Sequence, residues 1–194
     1  MSSRPPFIVS TGELPERSHV YPQSAEAMGP VRRAGSAAGL VRLGINLQRL
    51  PPGTRSSWPH AESDEEEFVY VIEGEVDAWI DGELHRMLAG DFAAFPAGTG
   101  ICHCFINNST TDALLLVGGE AAKPGNRIVY PLNPSRRADL EAADWWLDAP
   151  SRTLGGHDGL PDPLRGSNRR GDHGQHIEGT SSHLAGGTRH GHGT

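Results

Sequence analysis

Apolar and polar residues alternate along a short stretch near residue 40, which is the first regular pattern in the chain. Leu43, Ile45 and Leu47 fall on one parity, with polar residues or glycine between them. A period of two is typical of a β-strand with one buried face, so the pattern predicts a half-buried strand over residues 40–50 with these three side chains on its buried face.

Further short strands follow at close spacing, up to residue 117. Residues 67–73 are rich in β-branched and aromatic side chains, which predicts a strand buried on both faces. Asp81 and Gly82 stand between two apolar stretches and form a strong signal for a two-residue hairpin. Short strands separated by Gly and Pro turns are typical of a β-sandwich or barrel, so we predict an all-β fold.

The remaining sequence divides around this strand-rich part. Residues 1–38 contain many prolines and predict an extended arm, and the barrel itself is predicted over 39–122. Residues 123–154 form a C-terminal segment with one predicted short helix, from Ser135 to Trp146. Residues 155–194 are rich in Gly and His and poor in large aliphatic side chains, which predicts a flexible tail.

Charge and composition exclude several classes of protein. The net charge is −7, and residues 56–120 carry 13 Asp or Glu against a single Arg. Such a surface repels phosphate backbones, so we expect no nucleic-acid partner. No apolar run approaches the ~18 residues of a membrane span, and no apolar signal core follows the N-terminus, so we expect no membrane partner. Two cysteines cannot build a disulfide-dependent domain, which favours a cytoplasmic location.

Four side chains could meet inside the predicted barrel. His60 and Glu62 lie two residues apart, so on a strand they face the same side, and Glu67 opens the next strand. His103 lies in another predicted strand; if it faces inward, the flanking Cys102 and Cys104 face outward. Two imidazoles and two carboxylates from three strands would form a site for a first-row divalent metal. Taken singly, each of these residues is more often structural than a ligand.

Two separated motifs resemble those of the cupin superfamily. Residues 59–74 resemble the first motif, with His60, Glu67 and a glycine at the motif's end. Residues 90–107 resemble the second motif, with a Pro-x-Gly turn before His103 and then Asn107. The resemblance covers residues 40–120. One departure is that Glu62 stands where the second histidine of the first motif usually stands.

The resemblance implies a double-stranded β-helix barrel of the cupin or jelly-roll type, and we expect a homodimer. It maps the metal ligands of the superfamily onto His60, Glu62, Glu67 and His103. Because Glu62 brings a carboxylate in place of an imidazole, the set favours Mn²⁺ or Fe²⁺, with Zn²⁺ and Ni²⁺ as alternatives.

The function implied by the resemblance is that of a small-molecule metalloenzyme of the oxygenase, isomerase or lyase type. Two alternatives stay open at this point. The first is a non-catalytic cupin that binds or senses a metal or small ligand. The second is a degenerate structural cupin, in which Glu62 marks a lost metal site.

Overall fold

The computed structural model describes residues 4–121 and 123–168, with side chains described up to Arg165. The chain is dominated by strands, as predicted. The strands are β1 (Val31–Arg32), β2 (Leu43–Leu50), β3 (Ala61–Glu62), β4 (Glu67–Glu73), β5 (Glu75–Ile80), β6 (Glu83–Leu88), β7 (Phe92–Phe95), β8 (His103–Ile106), β9 (Ala113–Glu120) and β10 (Ile128–Val129). The helices are α1 (Ala34–Ala37), α2 (Asp162–Asn168) and two 3₁₀ helices, Thr11–Glu13 and Pro134–Asp139. Within the described part of the chain, no helix is long and apolar enough to cross a membrane.

The strands form two main antiparallel sheets and one small one. The larger sheet has the order β1-β2-β9-β4-β7, and the second has the order β6-β5-β8. β3 and β10 form a two-stranded ribbon. The inward side chains of the two main sheets pack into one apolar core that includes Val71, Val76, Phe105 and Leu115. The all-β prediction is therefore confirmed.

The buried face predicted for β2 is wrong, because the even-numbered residues and not the odd-numbered ones face inward. Leu50 is fully buried and Gln48 is 5 % exposed, whereas Leu43 is 49 % exposed. The inner face of β2 thus carries Gln48, whose amide donates hydrogen bonds to the backbone carbonyls of Gly29 and Ser56, each at 3.0 Å. These two bonds satisfy a buried polar group, so a polar residue can occupy a core position.

The bounds predicted for β4 are confirmed, but its burial on both faces is not. Val69 and Val71 are buried, whereas Tyr70 is 38 % exposed. Burial therefore alternates along the strand, as is typical of a sheet with one face exposed to solvent. The Asp81-Gly82 hairpin between β5 and β6 is confirmed. Both residues have positive φ, at 47° and 91°, as a type I′ turn requires.

The C-terminal segment differs from its prediction. The helix predicted from Ser135 to Trp146 is a 3₁₀ helix that ends at Asp139, after which the chain continues as turns and bends. Trp146 is 5 % exposed and packs against Cys102 and Cys104 on the outside of the barrel.

Residues 155–168, predicted as the start of a flexible tail, lie against the barrel. The backbone N–H of Gly155 donates to the carbonyl of Asp81 at 2.7 Å, and the indole N–H of Trp79 donates to the carbonyl of His157 at 2.8 Å. The guanidinium of Arg55 donates to the carbonyl of Gly159 at 2.7 Å. Residues 169–194 of the predicted tail lie outside the described residues.

Candidate metal centre

Three of the four predicted site residues meet at one end of the barrel. His60 lies immediately before β3, and His103 is the first residue of β8. Their backbones form an antiparallel bridge, in which each N–H donates to the other residue's carbonyl, at 3.2 and 2.9 Å. Glu67 is the first residue of β4 and points to the same inner face as the core residue Val69.

The ligand atoms of these three residues converge. Nε2 of His60 lies 3.4 Å from Oε2 of Glu67, and Nε2 of His103 lies 3.2 Å from the same oxygen. One ligand atom from each residue lies within 4.8 Å of the other two. Both imidazoles are buried, while the side chain of Glu67 is 26 % exposed. Solvent therefore reaches the centre on the side of Glu67.

Neighbouring groups hold both imidazoles in place. Nδ1 of His60 lies 2.8 Å from the backbone carbonyl of Trp58. Because a carbonyl only accepts, Nδ1 carries the proton, and the neutral ring then presents the lone pair of Nε2 to the centre. The ring of Phe95 stacks on His103 with ring centroids 3.5 Å apart and planes 6° from parallel.

The charges of the centre are strongly coupled. Burial alone would lower the pKa of His60, but hydrogen bonding and attraction to the Glu67 carboxylate raise it to about 9. Burial lowers the pKa of His103, and Glu67 offsets this only in part. Burial would raise the pKa of Glu67, but the two imidazoles hold it well below its usual range. Without a metal, Glu67 is therefore ionised and His60 carries the compensating positive charge.

Glu62, the fourth predicted ligand, lies beside this group and not within it. Its carboxylate accepts a hydrogen bond from the side-chain amide of Asn126 at 2.8 Å. Burial and the negative charge of Glu67 raise the pKa of Glu62 to about 7, and His60 partly opposes this rise. The cluster of converging ligand atoms among the described residues contains His60, Glu67 and His103 alone.

Comparison with known proteins identifies the family. The sequence profile of the cupin domain matches residues 46–118. A cupin-superfamily sugar phosphate isomerase from Silicibacter pomeroyi is 36 % identical in sequence. The match covers 63 % of this chain and 80 % of that chain, with a TM-score of 0.60. This chain belongs to the cupin superfamily. The predicted double-stranded β-helix is thereby confirmed, with α2 as a small C-terminal helix.

Two further relatives extend the comparison. The quercetin 2,3-dioxygenase of Bacillus subtilis is 30 % identical over 95 residues, which are 48 % of this cupin and 26 % of the dioxygenase. This cupin thus spans about a quarter of the length of that relative. The polyketide cyclase of Streptomyces resistomycificus is 18 % identical, with a TM-score of 0.53 over 75 % of this cupin and 99 % of the cyclase, and shares the fold.

Several residues of the centre had no signal in the sequence analysis of the site. Asn126 reaches Glu62 from the segment before β10, 64 positions further along the chain. Tyr130 is 7 % exposed, and its ring centroid lies 5.8 Å from that of His60. Phe95, the last residue of β7, stacks on His103. The contacts of Asn126 and Tyr130 join segments that lie far apart in the sequence.

The residues present fit a divalent metal ion. Two imidazole nitrogens and one carboxylate oxygen are the donor types that first-row divalent metals take, and two nitrogens with one carboxylate form a set that leaves positions open for other ligands. The Trp58 carbonyl supplies the outer hydrogen bond that fixes a ligating imidazole.

Metal uptake by this centre is expected to release a proton at neutral pH. His60, whose pKa is about 9 without metal, must bind as the neutral imidazole. Below pH 9 the apparent metal affinity therefore rises by about tenfold per pH unit, because protons compete for one ligand. Calorimetric titration at pH 7.5 in two buffers of different ionisation enthalpy measures the release. A buffer-independent heat would contradict the assignment of His60 as a ligand.

Proposed function

We propose that this cupin is a metalloenzyme that acts on a small organic molecule, with one divalent metal ion held by His60, Glu67 and His103. The observation that carries this proposal is the convergence of one carboxylate oxygen and two imidazole nitrogens within 4.8 Å of one another. When bound, the ion would act as a Lewis acid on an oxygen of the substrate.

We further propose that the reaction is an isomerisation of a hydroxy-carbonyl compound. The isomerase from Silicibacter pomeroyi supports this class, because its similarity covers 80 % of that chain. Such a reaction moves a proton from one carbon to its neighbour and the hydroxyl proton to the former carbonyl oxygen, and it needs no external oxidant. It requires a side chain that accepts the proton from the first carbon and returns it to the second.

We assign this proton transfer to Glu62. Its carboxylate lies beside the three proposed ligands, and Asn126 holds it by the 2.8 Å hydrogen bond. A carboxylate held outside the ligand set remains free to accept and donate a proton, which a ligating carboxylate does less readily. Asn126 is then a positioning residue, because it acts through Glu62.

The proposal predicts that Glu62→Gln keeps the metal and loses turnover. The amide retains the shape of the side chain but accepts no proton, and general-base catalysis is typically worth about 10² to 10⁴ in rate. Metal content by elemental analysis and kcat are measured on the same preparation. Loss of metal in Glu62→Gln would instead make Glu62 the fourth ligand predicted from the sequence.

The reaction class is tested with metal-loaded protein and a panel of aldose and ketose phosphates in D₂O. Isomerisation places deuterium on the carbon next to the carbonyl, which proton NMR detects. An oxygen electrode in parallel tests dioxygenase chemistry, the class of the Bacillus subtilis relative. Oxygen uptake without deuterium exchange would replace the isomerase proposal. Metal binding without either signal on any tested substrate would favour the non-catalytic binding cupin.

A further inference from the structure

A cavity of about 710 Å³ lies between the N-terminal arm and the inner face of β2, and its lining does not include the three proposed metal ligands. The arm supplies Arg17 and His19, the segment after β1 supplies Arg33 and Ser36, and β2 supplies Asn46. The volume is in the range of small-molecule sites. None of the described residues that line it is acidic, although the middle of the chain is strongly so.

The two arginines of this cavity carry uncompensated charge. Neither guanidinium forms an ion pair with a carboxylate of the described residues. Two neighbouring arginines differ in this respect, since Arg32 and Arg49 share Glu16 at 2.9 and 2.6 Å. The acidic side chain nearest in sequence to Arg17 is therefore already neutralised, and two positive charges face the cavity without a partner.

The donors around the cavity suit a tetrahedral anion. Two guanidinium groups offer planar forks of N–H donors, and the side chains of His19, Ser36 and Asn46 add further donors to the lining. A phosphate group presents oxygens in several directions and can use such a ring, whereas a carboxylate presents two oxygens in one plane. We propose that this cavity binds the phosphate group of a phosphorylated small molecule.

The sheet register links this cavity to the metal centre. Glu67 of β4 pairs with Gly119 of β9, and Gly119 pairs with Gly44 of β2, which lines the cavity. These residues form one row across the inner face, and a Cβ built on Gly44 would meet no atom closer than 3.9 Å. Since neighbouring strands lie about 4.8 Å apart, the row spans about 10 Å. Gly44 leaves its end of the row open, whereas a Cβ built on Gly119 would meet the Glu66 carbonyl oxygen at 2.6 Å and Cγ of Glu67 at 3.3 Å, so the Glu67 side chain itself lies over Gly119.

In this proposal, a short phosphorylated carbon chain binds with its phosphate at Arg17 and Arg33 and its other end toward Glu67. The binding of the non-phosphorylated end near Glu67 rests on the proposed function. The phosphate site itself depends only on the cavity, so the two parts are tested separately.

The test measures binding of inorganic phosphate to the full-length protein by isothermal titration calorimetry. The background is the His60→Ala/His103→Ala variant, so that phosphate cannot bind through a metal. In this background we expect saturable phosphate binding, at least tenfold weaker acetate binding, and a loss of phosphate affinity of at least tenfold on adding Arg17→Gln and Arg33→Gln.

Arg42→Gln is the matched control, because Arg42 is also exposed and unpaired among the described residues but does not line the cavity. We expect it to leave phosphate affinity within twofold. If the double arginine variant does not fold, as judged by its thermal unfolding, Arg33→Gln alone carries the test, with an expected loss of at least threefold.

Equal phosphate affinity in the Arg17→Gln/Arg33→Gln and Arg42→Gln variants would overturn the proposal, as would the absence of saturable phosphate binding in the His60→Ala/His103→Ala background. In the wild-type background, the arginine variants should keep their metal content. Loss of phosphate binding with metal retained supports the cavity, whereas failure of the metal centre would appear as absent metal in the unsubstituted protein.

Discussion

Replacing Glu67 with Gln is expected to lower the affinity for divalent metal by at least about 100-fold, because the substitution removes the negative charge of a proposed ligand and not merely a supporting group. The carboxylate oxygen of Glu67 is the atom that both imidazoles approach, at 3.4 and 3.2 Å. An amide of the same shape carries no charge to balance a divalent ion. Competitive titration with a chelating metal indicator measures the change in affinity.

Glu66→Gln is the matched control for this prediction. Glu66 precedes Glu67 directly in the chain, and its side chain is exposed, outside the converging group. The same chemical change there is expected to leave metal affinity within twofold. Comparable affinity in the Glu66→Gln and Glu67→Gln variants would show that the metal, if bound, is held elsewhere.

The largest loss of stability is expected at Arg55, which joins three parts of the chain. Its guanidinium donates to both carboxylate oxygens of Glu26 in the arm, at 2.8 and 2.6 Å, and to the carbonyl of Gly159. The Arg55 side chain is 3 % exposed. Arg55→Met leaves Glu26 without its partner, and breaking a buried pair in this way costs about 3–5 kcal/mol. Urea unfolding in the presence of a chelator measures the loss of free energy without a metal contribution.

Arg49→Met provides the comparison with an exposed pair. Arg49 also binds two acids, Glu16 at 2.6 Å and Asp112 at 3.1 Å, but its side chain is 38 % exposed. Exposed pairs are typically worth about 0–1 kcal/mol. Equal losses for the Arg49→Met and Arg55→Met variants would mean that the arm and the C-terminal segment do not depend on the buried pair.

Short local sequence patterns account for the parts of the fold that were predicted correctly. The Asp81-Gly82 turn needs two residues that tolerate positive φ, so this dipeptide alone predicts the turn. His60 and Glu67 were placed by strand alternation and by the resemblance of their motif. In the run of three acids at 65–67, Glu67 is the one that falls on the inner face, because β4 begins there and pairs with Gly119.

Contacts between distant segments account for what the sequence analysis missed. Gln48 occupies a core position because the carbonyls of Gly29 and Ser56, from two other segments, accept its N–H groups. Glu62 accepts a hydrogen bond from Asn126, 64 positions further along the chain, and no local pattern connects these two residues. Residues 155–159, predicted as the start of the flexible tail, are likewise held by distant groups, namely backbone groups of the Asp81-Gly82 hairpin and the guanidinium of Arg55.

The most direct test of the metal centre is elemental analysis of the full-length protein, purified without an affinity tag, beside the His60→Ala/His103→Ala variant. Both chains contain the same histidines elsewhere, so the difference in content reports the centre alone. We predict about one divalent ion per chain in the parent beyond what the variant retains. Equal metal content in the two proteins would contradict the account, because it would leave the barrel without a metal at His60, Glu67 and His103.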